Sequence, residues 1–166
     1  MEKLRILDQK QVQLKLERMA YQLAEILIDV DQVQLVGIKS GGYTLAQLLQ
    51  TKIEAILDKK ISLHTLALDK TSPTGKKAEI SPSLQENKSS CIVLIDDVLE
   101  SGRTMAYSLA QLLQQPWESV ITTVLVDRQH TKFPLKADVV GMSLSTTLQE
   151  NIEVVWDGSK AEVFLS

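Results

Sequence analysis

Two adjacent carboxylates, Asp96 and Asp97, stand just upstream of Ser101-Gly102-Arg103-Thr104. Paired carboxylates suit the vicinal diol of a sugar or, through it, a hard divalent cation. The second group suits a phosphate. Gly102 permits close backbone approach, Ser101 and Thr104 offer hydroxyl donors, and a helix starting there would direct its first N–H groups outward. A small molecule that joins a sugar diol to a terminal phosphate would span both halves. A second glycine-rich stretch, Lys39-Ser40-Gly41-Gly42, lies about fifty residues upstream. Its glycines allow close approach and its lysine supplies positive charge, although alone it reads equally as an ordinary strand-to-helix turn.

The surrounding pattern must hold these groups. Cys91-Ile-Val-Leu-Ile95 is a continuous apolar run, as expected of a central parallel strand covered on both faces. A helix is predicted from about Thr104 to Gln114, so the acid pair and the Ser-Gly-Arg-Thr turn fall at the carboxyl end of a strand, where open parallel sheets bind ligands. Segments 33–38, 61–68, 119–126 and 138–142 read as further strands. Val12, Leu16, Met19, Leu23 and Leu27 mark a first helix with Asp8 and Gln11 as its capping pair. Leu45, Leu48, Leu49, Ile53 and Ile56 mark a second, from Thr44. Asp157-Gly158 between Ile152–Trp156 and Ala161–Leu165 has hairpin chemistry. The alternation predicts an α/β fold with a mainly parallel central sheet. From Asp69 to Ser90 the chain is rich in turn residues, too long for a mere connection, and reads as a flexible loop whose 69–82 portion, with Gly75, would close as a lid.

Composition sets limits on partners. The chain has 166 residues, 44% hydrophobic and 23% charged, which is ordinary for one globular domain spanning 1–166 and excludes a disordered one. The formal charge of −3 gives no bulk attraction for nucleic acid. The single cysteine, Cys91, excludes an intrachain disulfide, fits a reducing compartment and reads as inert packing. Two histidines and one cysteine argue against an all-protein zinc site. The charged start holds no apolar core of signal-peptide length, and no run approaches the roughly 18 apolar residues of a membrane span, so a cytoplasmic protein is expected. Trp117 and Trp156 read as packing residues.

Ile92-Val-Leu-Ile-Asp-Asp-Val-Leu-Glu-Ser-Gly-Arg-Thr104 resembles the 5-phosphoribosyl-1-pyrophosphate signature of the type I phosphoribosyltransferases. That resemblance implies the family's fold, a central mainly parallel sheet flanked by helices with a small hood drawn from the N-terminal segment and about 127–166. It implies that Asp96 and Asp97 hold the ribose, directly or indirectly with Mg²⁺, and that Glu100, Ser101, Gly102, Arg103 and Thr104 line the 5′-phosphate loop. Val36-Gly-Ile-Lys-Ser-Gly-Gly-Tyr43 resembles the family's pyrophosphate loop, which assigns Lys39, Ser40, Gly41 and Gly42 to the leaving group. Val126-Asp-Arg-Gln-His130 and Phe133–Gly141 are similar to the bifunctional pyrimidine-operon attenuator and uracil phosphoribosyltransferase proteins, as is the amino-terminal Ile-Leu-Asp.

By that resemblance Lys136, Val139, Val140 and Met142 are base-binding candidates, with a solvated surface lysine the alternative for Lys136. Asp127 and Arg128 stay open between a surface ion pair and a role beside the base. Glu100 occupies the place where purine enzymes of the family put an acidic proton-transfer residue and attenuators a tyrosine. It is read either as catalytic together with Asp96 and Asp97 or as a loop acid capping the phosphate turn. Ser40-Gly41-Gly42 departs from the attenuators' Thr-Arg-Gly, and His64-Thr-Leu-Ala-Leu-Asp-Lys70 stands where they carry Tyr-Arg-Asp. The implied partners are phosphoribosyl pyrophosphate, a nucleobase and a second copy of the chain. RNA is the less favoured partner, and a non-catalytic nucleotide-binding protein is the remaining alternative.

Overall fold

Side-chain periodicity decides the layers of the fold, described by a computed structural model for residues 3–69, 78–145, 147 and 150–166. Along strand β5 (Ser90–Leu99), Cys91, Val93 and Ile95 enter one core while Ile92 and Leu94 enter the other. A strand sealed on both faces belongs at the centre of its sheet. There β5 pairs in parallel with β2 (Gln32–Ile38) on one side and β6 (Ser119–Asp127) on the other. Strands β3 (Ser62–Ala67) and β7 (Val139–Ser143) extend the parallel array outward. The short β4 (Glu79–Ser81) adds antiparallel to β3, giving the order β4-β3-β2-β5-β6-β7.

Helices cover both faces. α1 (Gln9–Leu27) opens on a capping box in which Gln11 N–H donates to Asp8 Oδ1 at 2.8 Å and Asp8 N–H donates to Gln11 Oε1 at 2.9 Å. Its stripe of Leu16, Met19, Leu23 and Leu27 is fully buried, each side chain worth about 1.5–3 kcal/mol. α2 (Gly41–Leu57) packs beside it through Leu45, Leu49 and Ile53, and α3 (Arg103–Leu112) covers the opposite face with Met105 and Leu112. At the outer strand β7, Arg18 of α1 donates to Val140 O at 3.1 Å and Gly141 O at 2.5 Å.

Three features differ from the sequence reading. Leu4–Leu7 form a strand, β1, which pairs with β9 (Lys160–Leu165); β9 in turn pairs with β8 (Ile152–Asp157). The span 127–166 therefore divides: β7 joins the main sheet, while β8 and β9 build a separate three-stranded sheet with β1. The 69–90 loop also divides. Residues 70–77, including Gly75 of the expected lid, lie outside the described residues, but 78–90 is held firmly. Beyond β4, the buried Gln34 amide donates to Gln85 O at 2.9 Å and accepts from Gln85 N–H at 2.8 Å, and buried His64 Nδ1 lies 2.6 Å from Pro82 O. Buried polar groups satisfied this way anchor a segment that composition alone marks as loose.

Candidate active site

The strand order reverses at β2 and β5, since β3 lies beyond β2 and β6 lies beyond β5. Chains leaving the carboxyl ends of these neighbours diverge and open a crevice between them. The turn after β2 carries Lys39–Gly42, and the end of β5 carries Asp96 and Asp97, so the fold brings together the two stretches singled out by chemistry.

Their approach is close enough to require glycine. A Cβ on Gly42 would stand 2.5 Å from Ile95 O and 2.9 Å from Asp96 Cα, both backbone atoms. A Cβ on Gly41 would collide with the Asp97 carboxylate. Lys39 and Ser40, joined by a cis peptide bond, are exposed. They line a hollow of about 300 Å³ with Ile38, Ala67, Leu68 and Thr104. Thr104 also lines the neighbouring cleft, so the two spaces meet at one residue.

That neighbouring cleft, about 300 Å³, is bounded by Asp96–Met105 and by Ile152, Glu153 and Val154. The half-buried acids are ordered by their own backbone: Asp96 Oδ1 accepts from Asp97 N–H and Asp97 Oδ1 from Val98 N–H, both at 3.0 Å. Gly102 takes a left-handed φ of 80° and starts α3, whose first turn faces the cleft. Ser101 O accepts from Lys132 N–H at 2.8 Å and Phe133 N–H at 3.2 Å, which fixes the loop from behind. Tyr107 packs edge-on against Phe133 and lies under the Arg103 guanidinium, 5.9 Å from its ring centre. The loop is thus a rigid cradle of backbone dipoles and hydroxyls, as anion binding requires.

The base-binding candidates do not gather at this cleft. Exposed Lys136 precedes β7, where Asp138 N–H donates to Thr122 O at 2.9 Å and Val139 pairs with Thr123, toward the amino half of β6. Val139 and Met142 pack on one core and Val140 on the other. None of the four lines the cleft, and Ile152, Glu153 and Val154 of β8 stand there instead. The sequence marked 152–156 only as half of a hairpin, because nothing local ties that alternating strand to a motif fifty residues earlier.

Asp127 and Arg128 are both buried and do not form an ion pair exposed at the surface. Asp127 Oδ1 accepts from Gln129 N–H at 2.8 Å. Arg128 Nη1 donates to Glu100 Oε1 at 2.5 Å, while its Nη2 donates to Glu150 O at 2.5 Å and Thr147 O at 3.2 Å. Thr147 N–H donates to the Glu150 carboxylate at 2.6 Å, and this backbone hydrogen bond holds the Glu150 carboxyl below its ordinary range.

Among the described residues, no three His, Cys, Asp or Glu side chains converge as a metal cage. Four carboxylates line the cleft, Asp96, Asp97, Glu100 and Glu153, and the adjacent Asp96 and Asp97 fit a Mg²⁺ that keeps its waters and draws most of its oxygens from substrate phosphates. Cys91, at the far end of β5, is fully buried, and desolvation pushes its thiol up from 9.0. No helix among the described residues is long and apolar enough to cross a membrane.

Residues 3–160 match the profile of the phosphoribosyl transferase domain. The chain is 32% identical over 161 residues to the Bifunctional protein PyrR of Clostridium botulinum (strain Alaska E43 / Type E3), covering 90% of this chain and 87% of that protein. It is 33% identical over 165 residues to the protein of that name from Bacillus cereus (strain AH820), covering 92% and 90%. In fold it is similar to the hypoxanthine phosphoribosyltransferase of Trypanosoma cruzi, with a TM-score of 0.76 at 12% identity over 96% of this chain and 94% of that one. A hypoxanthine phosphoribosyltransferase from Staphylococcus aureus superposes with a TM-score of 0.72 at 20% identity, covering 87% and 80%.

Proposed function

The chain belongs to the type I phosphoribosyltransferase family, and on that premise we propose that it moves ribose 5-phosphate from 5-phosphoribosyl-1-pyrophosphate to a nucleobase. The base is uracil or a purine, and pyrophosphate leaves. The observation that carries this reading is the junction of three chemistries at the β2–β5 switch point. A carboxylate pair, a phosphate cradle and a glycine-rich turn touch one another there, with Gly41 against Asp97.

Each part has a distinct task. Asp96 and Asp97 accept the ribose hydroxyls and fix the sugar's orientation. The backbone of 101–104, with the Ser101 and Thr104 hydroxyls, holds the 5′-phosphate. Lys39–Gly42 place backbone N–H groups and one cation where pyrophosphate charge develops, and such fixed dipoles stabilise charge separation without reorganising. Asp96 and Asp97 are also the groups that would hold Mg²⁺, through the ribose or through water. When bound, that ion neutralises the charge of the departing pyrophosphate. Ile152 and Val154 offer apolar surface to the ring of the base. The small sheet of β1, β8 and β9 thereby serves as the hood, and Glu100 takes the role of proton acceptor toward a ring N–H. The residues after β3 are the natural source of the lid that excludes water from the anomeric carbon.

Two measurements test the reading. Titration calorimetry with phosphoribosyl pyrophosphate and Mg²⁺ is expected to give saturable binding; its absence would remove the central premise. Turnover across uracil, hypoxanthine, guanine and xanthine then identifies the base, and binding without turnover on any of them would leave a nucleotide-binding protein in place of an enzyme. The relatives' description as bifunctional favours one second reading, an RNA-binding attenuator that uses nucleotide as its signal. A salt-dependent shift of a pyrimidine-operon leader RNA is its signature, and retained transferase activity with no shift would exclude it. In either reading the chain works in the cytoplasm.

A further inference from the structure

Arg128 is a buried cation that the transfer chemistry just described does not use. Its side chain is 8% exposed, and its fork reaches acceptors on two separate stretches of chain. One is the carboxylate of Glu100, at the lip of the phosphate loop. Others are the carbonyls of Thr147 and of Glu150, which stands two residues before β8. Glu150 is itself tied back to Thr147, whose N–H donates to its carboxylate and whose carbonyl accepts its N–H at 3.3 Å. Directly beyond it, Asn151 and Ser166 exchange backbone hydrogen bonds of 2.7 and 3.0 Å, and then come the cleft residues Ile152, Glu153 and Val154.

We propose that Arg128 is a positioning residue for the base: it sets the spacing between Glu100 on one wall of the cleft and Ile152–Val154 on the other. The chemistry favours arginine in particular. A planar fork can serve a carboxylate with one arm and carbonyls with the other, whereas an ammonium is a single point with no fixed geometry. Burial strengthens these bonds and makes their loss expensive. The proposed ribose and phosphate contacts come from Asp96, Asp97 and the 101–104 loop with its backing at Lys132 and Phe133, and within 96–104 the bond of the fork given above goes to Glu100. Loss of the fork therefore loosens the base half of the cleft and leaves the sugar-phosphate half in place.

This inference rests on the transferase reading, and the experiment separates the two. In the wild-type protein, binding of phosphoribosyl pyrophosphate with Mg²⁺ and turnover on the preferred base test that reading alone. Kinetics of Arg128→Lys and Arg128→Met then test the inference. Arg128→Met is expected to raise KM for the base roughly tenfold or more, with KM for phosphoribosyl pyrophosphate within about twofold of wild type. Arg128→Lys, which keeps the charge without the fork, should recover only part of that loss. Where Arg128→Met fails to fold, Arg128→Lys, which keeps the buried charge, carries the test alone through the ratio of its two KM values. Equal shifts in the two KM values, no shift in either, or full rescue by lysine would overturn the proposal.

Discussion

The two halves of the cleft are built on different plans. The half proposed for sugar and phosphate is one short stretch of chain, strand end, loop and helix start, with its glycine-rich neighbour pressed against it. The half proposed for the base joins Glu100 to Glu150 and strand β8 through the buried Arg128 guanidinium. Continuous construction ties geometry to backbone, so one wrong atom disturbs everything nearby. Assembled construction ties geometry to side chains, so the ring-binding wall can change while the sugar-phosphate wall stays fixed. That division suits an enzyme fold whose donor is constant and whose acceptor base differs among members.

The comparison can be broken most severely at the acids. Replacing both Asp96 and Asp97 by asparagine removes the charged acceptors for the ribose, and kcat/KM should fall about a thousandfold. Calorimetry should show the loss in donor binding rather than in base binding. Next comes Gly42→Ala, whose methyl meets backbone on β5 and cannot be relieved by a side-chain rotation. A drop of roughly a hundredfold in kcat/KM is expected, with the melting temperature lowered as well. On the other plan, Val154→Phe fills the base end, and steady-state kinetics should give about a tenfold rise in base KM with donor KM preserved. Lys136→Ala is its control and should change neither constant by more than about twofold. The smallest effect lies outside both halves. Because burial raises the Cys91 pKa in the folded state, its contribution to stability is complete below 9.0. Above that pH the unfolded thiol ionises first, and stability declines. Urea midpoints between neutral and alkaline pH should show a shallower decline for Cys91→Ala than for wild type.

The same division explains what could be read from the sequence. Asp96 to Thr104 is legible because its residues are neighbours in the chain, and the apolar run before it announces the strand that carries it. The α1 capping box and the Asp157-Gly158 hairpin were legible for the same reason. The wall proposed for the base is not. Lys136 stands out only for its place within a resemblance, whereas Ile152–Val154 reach the cleft only through the pairing of β8 with β9 and β9 with β1. Arg128 stays open in the sequence between half of a surface pair with its neighbour and a role beside the base, because sequence shows adjacency and hides burial. Strand β4 escaped notice since three residues followed by Pro82 carry no period, and its pairing with β3 is what makes it a strand.

The contact of Arg18 with Val140 O and Gly141 O has a consequence beyond catalysis. A parallel sheet that ends in an apolar strand offers its last row of carbonyls to any other chain that drifts alongside. Here the first helix of the same chain already occupies one of them, Gly141 O. A strand added alongside would have to displace that guanidinium first.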